Sequence, residues 1–344
     1  MKNENIIRIK EEFDLDLQEI WEKFEKNSNA SFFQTFKWQK YWFEKCDNNQ
    51  KNIIALLYKK EELVSIFPLN IKRQNFVNIL NWNGFPFSDY NQPLIKKNQI
   101  LSHQDFKFIV SQISSKYKFH NIHLINCINC DYLNDKKIIS NKISKLIFFK
   151  DNTDISIIDN LEKKINYEQN RLKKKFNFEI YIDTHLEKKK ILDFFINEKH
   201  KQLKRTGAWN YLDLKAFKKY IHDLAEFDPK NLCFSCLKID NKIISSHIGY
   251  KFNNNYYYIF PVYDLNYKKY SPGNILLFKL IQNYRFNKFY AFDFTIGDEI
   301  YKKKLNNSIA HLYEHIDYTR FLGIFYYFKI KLKILIKLLL YKKK

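Results

Sequence analysis

The chain has 344 residues, of which 45% are hydrophobic and 18% aromatic, with only six Gly and six Pro. This composition excludes a disordered or collagen-like chain and is sufficient for two domains, or one large one, with full hydrophobic cores. The formal net charge of +22 favours anionic partners. Only six basic residues are Arg, and Lys, Asn, Ile, Phe and Tyr all run high, so we attribute the charge to an AT-rich coding composition before any dedicated nucleic-acid surface.

The lack of a recognisable targeting signal in the sequence and the number of cysteines together predict the cellular compartment. The N-terminal stretch "MKNENIIRIKEEFDLDL" has no apolar run of signal-peptide length, and no segment reaches the ~18 uncharged apolar residues of a membrane span. Five Cys, an odd number, without such a signal indicate free thiols in a reducing environment. We therefore expect a cytoplasmic protein.

The first half of the chain predicts a helix, a meander of three strands, a second helix and a strand. The predicted elements are a helix at 34–46, strand–turn–strand at 52–72, a strand at 76–82, a helix at 103–117 and a strand at 120–127. A charged helical segment, "LEKKINYEQNRLKKKFN", follows near 150–175 and is interpreted as a joint.

The second half repeats that order. The predicted elements are a helix near 187–205, a hairpin with an Asp-Asn turn at 232–252, a strand at 256–264, a helix at 274–286 and strands at 288–294 and 309–318. The repeat predicts an α/β (α+β) fold with two tandem domains, each a mixed, mostly antiparallel sheet flanked by helices. The expected boundaries are 1–150, a connecting helix at 151–175, a second domain at 176–318 and a C-terminal helix at 319–344.

The C-terminal segment has a distinct composition. After Asp317 the chain contains eight basic residues and no acidic one, and "YYFKIKLKILIKLLLYKKK" is apolar and basic by turns. The Lys residues do not form one helical face. Residues 320–344 either lie on an anionic membrane surface or pack on the domain as a last helix, and the sequence leaves both open.

The strand at 256–264 contains Pro261, which cannot donate to a sheet ladder. The pairing must break or bulge there, so neighbouring strands can splay apart and leave backbone groups facing a gap. An extended ligand that carries amides can occupy such a gap like an added strand. A freed N–H near Val262 or Tyr263 is the candidate donor to a developing oxyanion.

The loop after this strand has the features of a phosphate site. Ser271 is a favourable N-cap, Pro272 suits the first helical position and Gly273 allows close approach to the backbone. First-turn N–H groups, the helix dipole and the side chains of Lys268 and Lys269 all favour an anion. A diphosphate on an extended amide arm, as in coenzyme A, would satisfy both gap and loop. The alternative is that Ser-Pro-Gly only starts a helix.

Two metal-like motifs do not predict a metal site. "CINC" (127–130) and "CFSC" (233–236) are more than a hundred residues apart, and the second lies in a predicted strand, where residues three apart point to opposite faces. Buried free thiols are the interpretation that we prefer. "HLYEH" (311–315) spells an inverted zinc-protease motif, but it reads as a strand with no acidic residue after Asp317.

Short motifs between residues 256 and 302 run in a specific order. They are Tyr263-Asp264, Tyr270-Ser271-Pro272-Gly273 with Leu276-Leu277, Phe292-Asp293-Phe294, Gly297-Asp298-Glu299 and Tyr301-Lys302. In order and spacing they resemble the acyltransferase half of the CelD-like proteins, two-domain relatives of the GNAT acyltransferases and the FemAB ligases. Weaker similarity extends over "SFFQTFKWQKYWF", "SIFPLNIKR", "WNGFPFSDYNQPLI" and "FFINEKHKQLKRTG". Of the usual GNAT phosphate loop, only Gly273 remains.

The resemblance implies two GNAT-like domains and an acyl-CoA-dependent N-acyltransferase, above all an acetyltransferase. The acceptor it implies is an amino sugar or a precursor of surface polysaccharide or lipid. The residues expected to bind acetyl-CoA or another acyl-CoA are Phe260, Val262, Tyr263, Lys269, Ser271, Pro272, Gly273 and Asn274. The first half is expected to shape an acceptor cleft between the domains, with Trp82, Asp89 and Tyr90 at its rim.

Five residues are candidates for the chemistry. Asp298 is the first choice for base or acceptor binding, and Asp293 is either a second carboxylate or a structural one. Tyr301 is the acid candidate, and Lys302 binds phosphate or is a surface residue. His247 is a base candidate or a packing residue.

Two other function classes stay open. One is a FemAB-type ligase that uses aminoacyl-tRNA, although no long coiled-coil arm is evident between 205 and 230. The other is a non-catalytic binding protein of the same fold.

Overall fold

The computed structural model describes residues 5–46, 50–84, 86–149, 155–208, 210–297 and 299–342. The elements up to residue 149 are β1 (Asn5–Lys10), α1 (Leu15–Glu25), α2 (Phe36–Cys46), β2 (Gln50–Lys59), β3 (Glu62–Gln74), β4 (Val77–Trp82), β5 (Leu94–Ile95), α3 (His103–Lys116), β6 (Asn121–Cys127) and β7 (Lys137–Phe148).

The elements from residue 155 on are α4 (Ile155–Lys173), β8 (Phe178–Tyr181), α5 (Lys188–Thr206), α6 (Lys215–Phe227), β9 (Leu232–Ile239), β10 (Lys242–Phe252), β11 (Asn255–Tyr263), α7 (Pro272–Phe286), β12 (Ala291–Ile296), α8 (Ile300–Lys303), β13 (Ser308–Tyr318) and α9 (Gly323–Lys342). Each predicted helix and strand is present within a few residues. The pattern missed β1, α1, β5, β7, β8, α6 and the single-turn α8.

The chain divides into two compact units. Unit 1 comprises Met1–Ile143 and Ala310–Lys344, and unit 2 comprises Ser144–Ile309. The predicted boundaries differ from this division. Residues 144–149, expected in the first domain, fall in unit 2, and residues 310–318, expected in the second domain, cluster with unit 1. The helix α4, expected to connect two domains, lies in unit 2.

Unit 1 has the strand order β1-β2-β3-β4-β6-β13. Neighbours are antiparallel apart from the parallel pair β4–β6, and α3 makes the connection between these two strands. The apolar face of α3, with Phe106, Ile109 and Ile113, packs into a core with strand residues such as Phe67 and Leu124. The last strand, β13, pairs with β6 through register partners such as Ile316 and His123.

Unit 2 has the strand order β7-β12-β11-β10-β9-β8, to which β7 contributes its residues from Ser144 on. Its one parallel pair among the described strands is β11–β12, joined by α7, and its other pairs are antiparallel. The helices α4 and α7 share a core with one face of this sheet, and Ile165 and Leu172 of α4 are fully buried there. Burial of these α4 residues explains why the helix belongs to the unit. On the other face, Phe195 of α5 and Phe217 of α6 pack against Phe260.

Each unit therefore contains, in chain order, a helix, three meandering strands, a crossover helix and a further strand, which confirms the predicted repeat and the α/β fold class. The cysteines of the two CxxC pairs are buried free thiols, as predicted, and burial raises the pKa of Cys130 to about 11. "HLYEH" lies in strand β13, also as predicted. No helix in the described part of the chain is long and apolar enough to cross a bilayer.

Candidate functional site

Strand β11 leaves its parallel neighbour β12 after three residues. The two strands pair at Asn255–Ala291, Tyr256–Phe292 and Tyr257–Asp293, and the described residues show no further pair between them. On its other side β11 stays paired with β10 as far as Tyr263, with one irregularity at Ile259. The second half of β11 thus borders a gap on the β12 side.

Backbone directions along β11 decide which groups face this gap. The Asp264 N–H donates to the Ile244 carbonyl (2.8 Å), and the Ser245 hydroxyl donates to the Val262 carbonyl (3.1 Å). Because backbone groups alternate sides along a strand, those of Val262 and Asp264 face β10, whereas those of Pro261 and Tyr263 face the gap. Pro261 has no N–H, and the N–H of Val262 points toward β10. Tyr263 therefore supplies the N–H that faces the gap.

The start of α7 corrects part of the predicted phosphate loop. Ser271 has a left-handed conformation (φ 53°) and its side chain makes no capping bond. Its carbonyl instead accepts the N–H groups of Asn274 (3.0 Å) and Ile275 (3.1 Å). Since Pro272 has no N–H, Gly273 carries the one first-turn N–H that has no partner among the described residues. The helix start keeps one free amide donor rather than several.

Gly273 also brings the first turn of α7 against Tyr263 of β11. A Cβ at this position would lie 3.2 Å from Cδ1 of Tyr263, so glycine lets the Tyr263 ring rest on the first turn. Lys268 and Lys269 are exposed in the 3-10 turn that precedes α7. Asn274 is exposed in the first turn of α7 itself. Phe260 and Val262 are buried, so their side chains form core rather than a binding surface.

Asp293 holds an irregularity in β12. Its Oδ1 accepts the Thr295 N–H (2.7 Å) and the Ser144 hydroxyl (3.1 Å), and Thr295 has a positive φ of 57°. The register between β12 and β7 shifts at this point, between Asp293 and Ile296. This environment favours the structural alternative for Asp293.

The segment after β12 is held by a buried lysine. The Lys302 ammonium donates to the Ile296 carbonyl (3.1 Å) and pairs with Glu299 (2.9 Å), and only 3% of the residue is exposed. Lys302 is therefore neither a surface residue nor open to a phosphate. Gly297 lies between these groups with φ +144°, a conformation that needs glycine. Asp298 lies outside the described residues.

Near this segment, the side chains of Tyr301 and Lys199 have shifted pKa values. Tyr301 is half-buried against Phe294, and burial raises the pKa of its hydroxyl, with a further rise from Glu299. Burial lowers the pKa of Lys199 on α5; the Glu299 charge opposes this shift and the Lys302 charge adds to it. Sequence reasoning missed Lys199, because nothing in a lysine-rich helix distinguishes it from its neighbours.

His247 lies in the core of unit 2. It is 1% exposed, its Nδ1 is 2.9 Å from the Tyr256 hydroxyl and its ring stacks on that of Tyr258 at 4.0 Å. Burial lowers the pKa of His247 well below its usual range. This environment corrects the base assignment and favours the packing alternative.

The proposed acceptor rim in unit 1 consists mainly of core residues. Trp82 is buried and donates its Nε1 to the Cys127 sulfur at 3.4 Å. Tyr90 is buried against Phe33, and its carbonyl accepts from the Gln34 amide at 2.8 Å. Asp89 is half-buried. The side chains of Trp82 and Tyr90 are therefore occupied in packing and do not line an open rim.

Unit 2 contains a cavity of about 720 Å³ that the sequence did not indicate. Helices α5 and α6 form its walls, and its lining includes His200, Asp213, Lys218 and His222. The Lys242–Asp264 ion pair (3.0 Å) lies at the cavity, and Asp264 directly follows β11. The cavity thus adjoins the end of the strand that borders the gap.

The comparisons with known proteins agree with this geometry. Residues 160–303 match the family model described as "Acetyltransferase (GNAT) domain". The crystal structure of FemX has a TM-score of 0.62 at 9% identity, covering 87% of this chain and 96% of that one. A conserved protein of unknown function from Bacteroides thetaiotaomicron has a TM-score of 0.58 at 11% identity, with coverage of 90% and 99%.

L-PGS from Bacillus licheniformis is also similar, with a TM-score of 0.54 at 10% identity and coverage of 91% and 95%. No curated protein matches the sequence. These likenesses define the fold: two tandem GNAT-like units, as predicted. The segment that matches the acetyltransferase (GNAT) domain model, residues 160–303, lies in unit 2 with the gap and the cavity.

Proposed function

We propose that this chain is an acyl-CoA-dependent N-acyltransferase, most simply an acetyltransferase, of the CelD-like type. The observation that carries the proposal is the divergence of β11 from β12 beside the start of α7, within the segment that matches the GNAT domain model. The acceptor we propose is an amino sugar or a precursor of surface polysaccharide or lipid, as the family resemblance implies.

The residues at the gap suit the acyl donor. The Pro261 carbonyl and the Tyr263 N–H can pair with the amides of an extended pantetheine arm. At the end of that arm, the free Gly273 N–H, the α7 dipole and the exposed Lys268 and Lys269 favour a diphosphate. One amide and two lysines are a smaller set than the usual GNAT loop offers, so charge should contribute much of the donor affinity.

The chemistry is direct transfer. An acceptor amine attacks the thioester carbonyl, the C–N bond forms and the C–S bond breaks, and one proton leaves the amine while one joins the thiolate. Positioning supplies much of the rate. We assign oxyanion stabilisation to the Tyr263 N–H and protonation of the thiolate to Tyr301, because a tyrosine hydroxyl is protonated at neutral pH. Asp298 remains the proposed base on the resemblance alone.

For the acceptor we propose the unit 2 cavity in place of the residues first expected in unit 1. Its volume of about 720 Å³ is ample for a sugar-sized molecule. Carboxylates and imidazoles from Asp213, His200 and His222 offer hydrogen-bond partners to hydroxyl and amine groups. Apolar Phe194, with Ile221, can cover a ring face.

Donor binding is tested by calorimetric titration of acetyl-CoA into the wild type and the Lys268→Ala/Lys269→Ala variant. We expect saturable binding that weakens about tenfold in the variant and decreases with salt, because two exposed charges are lost. Lys107→Ala/Lys116→Ala on α3 removes the same charge from unit 1 and should leave the affinity unchanged. Equal losses in both variants would show a non-specific charge effect and contradict the assigned site.

Tyr301→Phe tests the acid. The substitution keeps the packing on Phe294 and removes only the hydroxyl, so kcat should fall by roughly 10²-fold with the acetyl-CoA affinity unchanged. Release of free thiol from acetyl-CoA, measured over a panel of amino sugars, is the readout. A variant that turns over at the wild-type rate would remove Tyr301 from the mechanism.

A FemAB-type ligase that uses aminoacyl-tRNA is the second candidate, since a net charge of +22 suits tRNA. The segment between α5 and β9 holds the 13-residue α6 and no long helical arm among its described residues. Tight binding of charged tRNA without any response to acetyl-CoA would select this candidate. Binding of neither ligand would indicate a non-catalytic protein of the same fold.

A further inference from the structure

The C-terminal helix α9 has one face fixed to unit 1. Gly323 lies so close to the His120 carbonyl that a Cβ would clash, and its own carbonyl accepts from the Asn121 amide at 2.9 Å. The Tyr326 hydroxyl is 3.0 Å from Nδ1 of His123 on β6. Ile334, three turns along, is buried. The helix is therefore attached along one side and held in a defined orientation.

The opposite face of α9 is apolar and open. Six large side chains with 48% to 71% of their surface exposed form what we term the apolar stripe: Phe325, Phe328, Leu332, Leu335, Ile336 and Leu339. Their spacings of three and four residues place them on a single side of the helix. At 1.5 Å per residue the stripe is about 21 Å long. Phe321 and Leu322 extend it beyond the start of the helix.

Lysines flank the apolar stripe. At about 100° per residue, Lys329 lies on one side of the stripe and Lys331 on the other, with Lys333 beyond Lys329. All three are exposed, and no acidic residue follows Asp317 in the sequence. Lys stems can lie along apolar surface while their charges reach outward. The lysines that looked scattered in the sequence therefore border the stripe on both sides.

We propose that the apolar stripe of α9 docks on an anionic phospholipid surface, with the helix lying in the plane of the interface. The apolar side chains enter the acyl boundary and the flanking lysines contact acidic headgroups. A second copy of this chain fits less well, because pairing two such faces would bring lysines together without an acidic partner. The two alternatives left by the sequence thus apply to opposite faces of one helix.

Flotation of the full chain with lipid vesicles tests the proposal without any substrate, so its outcome is independent of acyl transfer. We expect binding to phosphatidylcholine vesicles that contain phosphatidylglycerol, weaker binding to phosphatidylcholine alone, and release as salt is raised. Lys329→Gln/Lys331→Gln/Lys333→Gln should lower the affinity for anionic vesicles on the order of 100-fold, about fivefold per lysine. Lys107→Gln/Lys116→Gln/Lys219→Gln removes three exposed lysines elsewhere and should bind like the wild type.

Phe328→Ser/Leu332→Ser tests the apolar part, with at least a roughly tenfold loss expected on both kinds of vesicle. Ile100→Ser/Phe286→Ser is the matched control, because these residues are 88% and 86% exposed and lie outside α9. Unchanged thermal unfolding shows that each variant is folded. Equal affinity of the stripe variant and wild type would overturn the proposal. A dimer that the stripe variant dissociates, without vesicle binding, would overturn it in favour of a second copy.

Discussion

At the scale of single residues, environment decides between chemical and structural roles. Asp293, Lys302 and His247 all looked like site residues in the sequence, yet Asp293 and Lys302 bond to neighbouring backbone groups and His247 is buried with its Nδ1 on the Tyr256 hydroxyl. Tyr263 and Gly273 gain importance because the described residues show no partner for their N–H groups. Burial of a side chain depends on distant parts of the chain. No local sequence pattern could therefore distinguish the buried residues from the two whose N–H groups face the site.

His247 predicts a pH dependence of stability. Its pKa is lowered in the folded state, so below the unfolded pKa of about 6.5 the unfolded chain binds a proton that the folded chain does not. Stability should therefore fall as pH drops below that value, by up to about 1.4 kcal/mol per pH unit. Urea unfolding at several pH values should show a shallower slope for His247→Gln. Tyr256→Phe, which keeps the imidazole buried, should retain the wild-type slope, and equal slopes for wild type and His247→Gln would contradict this account.

At the scale of elements, the hairpin β10–β11 is shaped by tight packing around Gly249. A Cβ there would clash with the Tyr256 hydroxyl and would lie 2.7 Å from Cε1 of His247. The register between β10 and β11 shifts between Ile248 and Gly249, so that Ile259 of β11 has no register partner in β10. Sequence reasoning placed the break at Pro261, whereas the register with β10 shifts two residues earlier, at Ile259.

Gly249→Ala should destabilise the protein by about 1–3 kcal/mol, since both clashing groups are buried and held by neighbours. Ser246→Ala is the matched change in the same strand. The Ser246 hydroxyl is buried without a partner among the described residues, so its removal should be neutral or slightly stabilising. Chemical denaturation of both variants gives the comparison. Similar free energies of unfolding for the two would show that the strand adjusts around the added methyl group.

At the scale of the whole molecule, sequence order and tertiary grouping differ. β13 follows β12 along the chain but completes the sheet of unit 1, and β7 follows β6 but pairs with β12. The strand that follows each half of the repeat thus pairs with the other half, whereas the last strand of each repeat, β6 or β12, pairs within its own unit. The predicted boundary at residue 318 assumed that chain neighbours stay together, and strand pairing has no such requirement.

Truncation of the chain tests whether β13 stabilises the sheet of unit 1. A chain that ends at residue 318 keeps β13 and should retain slow hydrogen exchange at the β6 amides. A chain that ends at residue 309 loses β13, leaves β6 without that neighbour and should exchange those amides at least tenfold faster. Exchange measured by mass spectrometry distinguishes the two. Equal protection of β6 in both chains would mean that β13 adds little to unit 1.

The sequence by itself determined the type and order of most elements, the tandem repeat, the buried thiols and the strand–loop–helix that borders the gap. Periodicity, turn residues and proline act over a few residues, so these features are local. Only the tertiary structure decided that Tyr263 supplies the gap-facing N–H, that Lys302 and His247 are buried, that α5 and α6 line an open pocket and that α9 exposes a continuous apolar stripe. These features arise from contacts between residues far apart in the chain, which no short pattern encodes.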